Sequence, residues 1–505
     1  MSRLSKIIQS REQWKQKAND RGEKARYLKK ENRRLKKERD EHKKAARQAR
    51  SELDALRRKQ PPHPVQHKAD LVYIALQLFT VARIGYRAVS RVLRVLSPYL
   101  GIPKAPCAQT IVNWVTRLSI VKIEKVSELC TTFAVADKPG NNGFIWMIDL
   151  SIGLGAGKIL SVLALDVQHH QGRKAPTVQD VHCVAVAVAT SWTGELIAAF
   201  LAKVMAVTGH PAAFLKDGGT DLGKAARLLS EQGSPSLCID DLSHKIANLF
   251  KQAYGEHPLF DVFLSACGDI SKQFKQTVLA CLAPPKVSVK ARFMNLHRLV
   301  AWAEQLLSHS PPGAAAEGSV LAKLRDSLDT LPECKPFINR FVRDARPLLA
   351  CQKILKTEGL NRKTYRRCTQ LIKTIPPRSS VRKGFWQWLQ AQFAIAKALK
   401  VDKTGLPIST DAIESLFGLG KRHGTGEIKD ANRIALRQPA LCGQLTKEDA
   451  RRVLAVSVRE QREIEGQVSS LIKQRREVLP NPGTLETLAD FSQQNNIELI
   501  PGSKT

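Results

Sequence analysis

The spacing of hydrophobic positions changes several times along this chain, and each change marks a segment. Over residues 1–60 one row at seven-residue spacing reads Leu4, Arg11, Ala18, Ala25, Asn32, Arg39, Ala46, Leu53. A second reads Ile7, Trp14, Arg21, Leu28, Leu35, His42, Ala49, Leu56. This predicts a self-associating coiled-coil helix, with Asn32 fixing register and the Arg and His members weakening the seam. The alternative is a solvated basic helix lying along DNA phosphates. Pro61-Pro62-His63-Pro64 ends the helix and marks a linker.

Residues 61–130 suit a compact helical module. Leu71, Ile74, Ala75, Leu78 and Phe79 line one helix, and a second starts at Gly85-Tyr86-Arg87. Pro98 and Pro103-Lys104-Ala105-Pro106 separate it from a third, beginning at Gln109-Thr110-Ile111. Short helices with exposed Arg, Gln, Thr and Asn fit a helix-turn-helix-like DNA reader whose last helix enters the major groove, the alternative being an ordinary helical bundle. Arg87, Arg91, Gln109, Thr110 and Asn113 are the candidate DNA contacts, and Trp114 is assigned to the core.

From residue 140 to 243 the period shortens. Apolar runs at 144–150, 158–166, 180–190, 211–216 and 236–240 predict strands, with helices at 193–207 and 219–231. The order is β-β-β-α-β-α-β, the first three strands antiparallel and the rest parallel. Gly153, Gly155 and Gly157 suit a hairpin, because strand and not helix follows them. Residues 244–405 become helical again, broken at Pro284-Pro285, Pro311-Pro312-Gly313 and Pro376-Pro377. Their basic residues, with Trp386 and Trp388, suit either a groove along a DNA backbone or a solvated surface. Residues 406–445 return to the sheet region. Within 446–505, residues 446–479 suit one long charged helix, and Pro480 introduces a tail without a chemical signal.

Composition sharpens this. At 505 residues and 43% hydrophobic the chain can bury a large core, while a formal charge of +34 points to a polyanionic partner, with a membrane surface as the weaker alternative. Residues 1–60 alone hold 22 Lys and Arg against 9 Asp and Glu. No apolar run approaches the roughly 20 residues that cross a bilayer, and the first residues carry charges where a secretory signal has an apolar core. Ten cysteines without zinc-like spacing suggest free thiols in a reducing, cytoplasmic compartment.

Three carboxylates stand out against this frame. Asp149 closes Phe144-Ile145-Trp146-Met147-Ile148, Asp217 closes Ala212-Ala213-Phe214-Leu215-Lys216, and Glu414 lies in the first turn of a helix starting near Asp411. Asp is disfavoured in strands, so a carboxylate at a strand end must be solvated, paired or bound to a cation. Three meeting at one point form an all-oxygen site suited to Mg²⁺ or Mn²⁺. Nearby acidic residues compete for these roles. Asp241 and His244 can meet on one helical face, although Asp240 or Asp241 better suits a helix cap. Asp221 suits an ordinary helix residue, and Asp411 has capping-box spacing to Glu414. Lys421 lies two turns beyond Glu414, where it can reach a phosphate, with Arg422 and His423 beside it.

These residues and this strand order resemble a bacterial DDE transposase, with the RNase H-like catalytic fold shared by retroviral integrases. The resemblance covers about residues 68–440. It implies an α/β RNase H-like core with a mixed sheet, split into 140–243 and 406–445 around an all-helical insertion. It implies that Asp149, Asp217 and Glu414 hold two divalent ions, Mg²⁺ or Mn²⁺, for phosphodiester cleavage and strand transfer. Its partners are then double-stranded DNA (terminal repeats and target) and further copies of the chain, in a dimer or larger assembly at the nucleoid. The stretch between Asp217 and Glu414 is far longer than a minimal fold of this kind needs, which is the basis for the insertion. A catalytically inactive DNA-binding derivative and an RNase H-like nuclease are the alternatives.

Overall fold

The computed structural model describes residues 3–57, 68–134, 143–151, 157–166, 175–286, 292–309, 314–422, 430–466 and 498–500. They fall into two units, Met1–Gln66 and His67–Thr505. Among the described residues the first contains one element, helix α1 (Arg3–Arg57), in which every described side chain is exposed or half-exposed.

The second unit opens with α2 (Lys68–Thr80), α3 (Tyr86–Leu100) and α4 (Ala108–Ala134). Phe79 stacks on Tyr86 at 4.8 Å between ring centres and joins the first two. Pro98 does not end α3, as the sequence suggests; the helix runs on to Leu100 and stops at Gly101, in the left-handed region at φ 65°. Trp114 is buried, as expected. Helix α4 continues past the small module, and its Val126 and Cys130 enter the core beneath the sheet.

Five strands follow the expected positions: β1 (Phe144–Leu150), β2 (Lys158–Asp166), β3 (Val181–Ala189), β4 (Ala213–Lys216) and β5 (Leu237–Asp240). Helix α5 (Gly194–Thr208) links β3 to β4, and α6 (Thr220–Glu231) links β4 to β5. The sheet order is β5-β4-β1-β2-β3-β6. β1, β2 and β3 pair antiparallel, and β1, β4 and β5 parallel. The sixth strand, β6 (Glu498–Leu499), lies antiparallel to β3; its brevity leaves no periodicity to read in sequence. The inner strands are apolar on both faces because both are covered. Phe144, Trp146 and Ile148 pack with α5 and α6. Alternation then turns Ile145, Met147 and Asp149 to the opposite face.

The helical stretch comprises α7 (Leu242–Tyr254), α8 (Pro258–Phe274), α9 (Arg292–Ser308), α10 (Val320–Ser327), α11 (Lys335–Glu358), α12 (Arg362–Lys373) and α13 (Ser380–Ala398). Phe250, Tyr254, Phe263, Phe337 and Phe341 form its aromatic centre. The chain returns through α14 (Asp411–Arg422) and α15 (Ala431–Ala435). The expected long helix over 446–479 is instead α16 (Lys447–Ala455) and α17 (Val458–Gly466), with the remainder outside the described residues. The break is a new helix start at Ser457. Its N–H donates to Glu460 Oε2 at 2.8 Å, while its hydroxyl accepts from Glu460 N at 3.1 Å. This reciprocal pair is a capping box. Among the described residues no helix is long and apolar enough to cross a membrane.

Candidate active site

The parallel pairing of two adjacent strands ends at one level. Ile148 of β1 is opposite Lys216 of β4, so Asp149, still within β1 and paired with Ser161 of β2, and Asp217, the first residue after β4, follow at the same level. The register continues outward, with Lys216 opposite Asp240 of β5. The carboxyl ends of neighbouring parallel strands are where open α/β sheets form clefts. Here a cleft of about 740 Å³ lies over them, walled by α7, α9, α11 and α14 and lined by Asp149, Asp217 and Glu414 together.

Each carboxylate is held differently. Asp149 is 8% exposed and accepts the Leu150 N–H at 2.7 Å. Burial, then the charge of Asp217, push its carboxyl up to about 7; Glu414 adds to this, while the Leu150 N–H and His244 oppose it. Asp217 Oδ1 accepts the Gly219 N–H at 2.8 Å. A side chain at either of the two glycines after it would crowd a neighbouring polar group. A Cβ on Gly218 would lie 2.7 Å from Asn248 Nδ2, and one on Gly219 would lie 2.8 Å from Asp217 Oδ1. Glu414 is raised by burial and then by Asp411, with His244 and Lys356 pulling it back.

Glu414 is far from the strands in sequence, and a clamp brings it near. Asp241, 1% exposed, accepts the Thr410 N–H at 2.8 Å and the Thr410 hydroxyl at 3.2 Å through Oδ2. Its Oδ1 caps α7 by accepting the His244 N–H at 2.8 Å, and it accepts His244 Nδ1–H at 3.1 Å. Burial disfavours the Asp241 charge, but the bonds from His244 and Thr410 overcome it and keep the carboxyl below its ordinary range. Burial also works against a charged His244; the bond to Asp241 outweighs it and, with Asp217 and Asp149, raises the imidazole to about 9. Asp241 is thus the helix cap, and Asp240 pairs with Lys216 at 2.6 Å instead.

Asp411 does not form a capping box with Glu414. The Glu414 N–H bonds to Thr410 O at 3.3 Å, so the helix starts after Thr410, which Asp241 holds. Asp411 becomes its first residue and pairs through both oxygens with Lys356 at 2.7 Å. Lys421 lines the cleft beyond Glu414, while Arg422 is exposed outside the lining. Arg298 and Lys353 add positive charge to the walls. Arg298 carries no local signal that distinguishes it from other helix-surface arginines. Asp221 is exposed in the first turn of α6, and His423 lies outside the described residues.

The remaining candidates lie away from the cleft. Arg87 and Arg91 are exposed one turn apart on α3. Gln109 is exposed at the start of α4 and donates to Asn113 at 3.0 Å; Thr110 and Asn113 are half-buried. Residues 101–107 between α3 and α4 exceed a tight helix-turn-helix connection. Among the described residues, no three His, Cys, Asp or Glu side chains are placed closely enough to hold an ion. No family model matches the chain, and no curated protein matches it.

Proposed function

We propose that this chain is a DDE-type polynucleotidyl transferase with an RNase H-like core, a DNA transposase that cuts and joins strands at the ends of a mobile element. The observation carrying this is that Asp149, within β1, and Asp217, just past the end of the parallel strand β4, lie at one level and line a cleft that Glu414 also lines. The strand order, three antiparallel and then two parallel on the other side of β1, agrees with that fold.

The donor set is all oxygen and suits a hard divalent cation. Burial and then the charge of Asp217 disfavour the Asp149 carboxylate, and a bound dication would offset both. Asp149, Asp217 and Glu414 line one cleft but are not close enough in this structure to share an ion; drawn together they would hold two Mg²⁺ or Mn²⁺ ions, which when bound supply charge neutralisation at the entering and leaving oxygens of a phosphodiester. The protein's own contribution is orientation. Asp241 fixes the start of the Glu414 helix and the ring of His244. Arg298, Lys353 and Lys421 attract the DNA strand to the cleft, and Arg87 and Arg91 grip duplex phosphates elsewhere.

The test is incubation with the DNA flanking its own gene in Mn²⁺. Wild-type chain gives nicked and joined products; Asp149→Asn, Asp217→Asn and Glu414→Gln bind the same DNA without cutting it. Full cutting by any of the three overturns the assignment. The exposed arginines of α3 and the basic N-terminal helix favour a second reading, a duplex-binding protein without catalysis. Salt-sensitive binding with no metal-dependent nicking by the wild-type chain selects it.

A further inference from the structure

Helix α1 is about 80 Å long at 1.5 Å per residue and, among the described residues, has no other element in its unit to bury against. Its apolar side chains are open: Trp14 is 62%, Leu28 51% and Leu35 48% exposed. Leu28 and Leu35 belong to one heptad row and Ala25 and Asn32 to the other, so all four face one direction. We infer that α1 pairs with α1 of a second copy of this chain, parallel and in register.

Two flanking charge pairs favour this partner and its direction, against one, Lys24 facing Lys29, that opposes it. With Ala25 and Asn32 at heptad position a, Glu31 and Glu38 occupy position g, and Lys36 and Lys43 position e of the next heptads. In a parallel pair, g of one helix meets e of the following heptad on the other. Glu31 then faces Lys36 of the second copy, and Glu38 faces Lys43, on both sides of the seam. An antiparallel pair brings e to e and g to g, setting lysine against lysine and glutamate against glutamate. Within the chain Arg34 engages Oε1 of both glutamates, at 2.9 and 3.5 Å, and holds them on this flank. Asn32 meets Asn32 of the second copy, the arrangement that fixes register at a cost in stability. Arg39 and His42 interrupt the seam, so association depends on the flanking charges as much as on apolar burial.

The experiment uses the full chain, cleared of nucleic acid, with mass measured by sedimentation equilibrium. It does not involve cleavage, so its outcome is separate from the catalytic proposal. Wild type sediments as a dimer. The double variants Glu31→Lys/Glu38→Lys and Lys36→Glu/Lys43→Glu each replace attraction with repulsion, and each weakens dimerisation by at least about tenfold. An equal mixture of the two restores the dimer, because each supplies the charge that the other lacks. A monomeric wild type, either variant dimerising as tightly as wild type, or a mixture that fails to recover overturns the inference.

Discussion

Asp241 and Thr410, 169 residues apart in the chain, are joined by two hydrogen bonds through one carboxylate oxygen. They tie the end of β5 to the start of the helix that carries Glu414. Asp241→Ala is expected to lose about 2–4 kcal/mol of stability, since it strips a buried acceptor from several donors. It is also expected to lower metal-dependent nicking by at least about tenfold at a temperature where the variant is folded, because misplaced groups cost rate steeply. DNA affinity stays unchanged. Chemical denaturation, nicking and DNA-binding titrations measure these, and wild-type nicking in folded Asp241→Ala refutes the positioning role.

The same cluster makes stability depend on pH in a defined direction. His244, near 9 when folded, contributes stability that is complete below its unfolded value of about 6.5 and is lost as pH rises through about 9. Asp149 has its carboxyl raised from 3.8 to about 7, so folding favours its protonated form; that advantage disappears as pH climbs through about 7. Both act together at roughly 1.4 kcal/mol per unit of displacement, so the metal-free chain weakens from mildly acid to alkaline pH. Mn²⁺ should therefore raise Tm more at about pH 8 than at about pH 5, where protons compete for the carboxylate. Melting curves in chelator and in Mn²⁺ check this; equal Tm shifts at both pH values contradict it. Asp149→Asn flattens the lower half of the metal-free profile and His244→Gln the upper half.

Gly219→Ala tests how tightly Asp217 is placed. The new methyl group would stand 2.8 Å from Asp217 Oδ1, against a carboxylate that must move aside. The backbone at Gly219 has φ −66°, which alanine adopts freely, so the effect falls on the carboxylate and not on the turn. Nicking is expected to fall by about tenfold or more with stability reduced by only about 1–2 kcal/mol. Activity equal to wild type would show that this carboxylate tolerates displacement.

Arg87 and Arg91 make a different prediction, because they are exposed on α3 and do not line the cleft. Replacing both with alanine should weaken binding uniformly across DNA sequences and reduce the salt-dependence slope by about 2. Cleavage of DNA that is already bound should proceed as in wild type. Binding isotherms over a salt series measure the slope; an unchanged slope removes these residues from the interface.

The sheet was legible because its strands are short apolar runs, the first three directly successive and the last two set apart by helices, and β1 to β5 form within a few residues of the places the pattern marks. The shared level of Asp149 and Asp217 follows from the same pattern, since each directly follows an apolar run. What joins Glu414 to them was not legible. The bonds from Thr410 to Asp241 and from Lys356 to Asp411 link residues with no local relationship, and local spacing alone suggests a cap at Asp411. The break at Ser457 did carry a local signal in Ser457 and Glu460, masked by the continuous charge around them. The short β6 pairs only through Val186 and Ala187 and has too few residues to show a period.

The Leu242 N–H donates to Ile408 O at 3.0 Å, and Leu360 and Leu406 bridge to each other nearby. The helical stretch therefore departs and returns at adjacent points, and inner helices tie it to the site again through Lys356 with Asp411 and through the Asp240 N–H with Gln392. Helix α10 takes part in none of these contacts, so its length can change while Asp149, Asp217 and Glu414 keep their places.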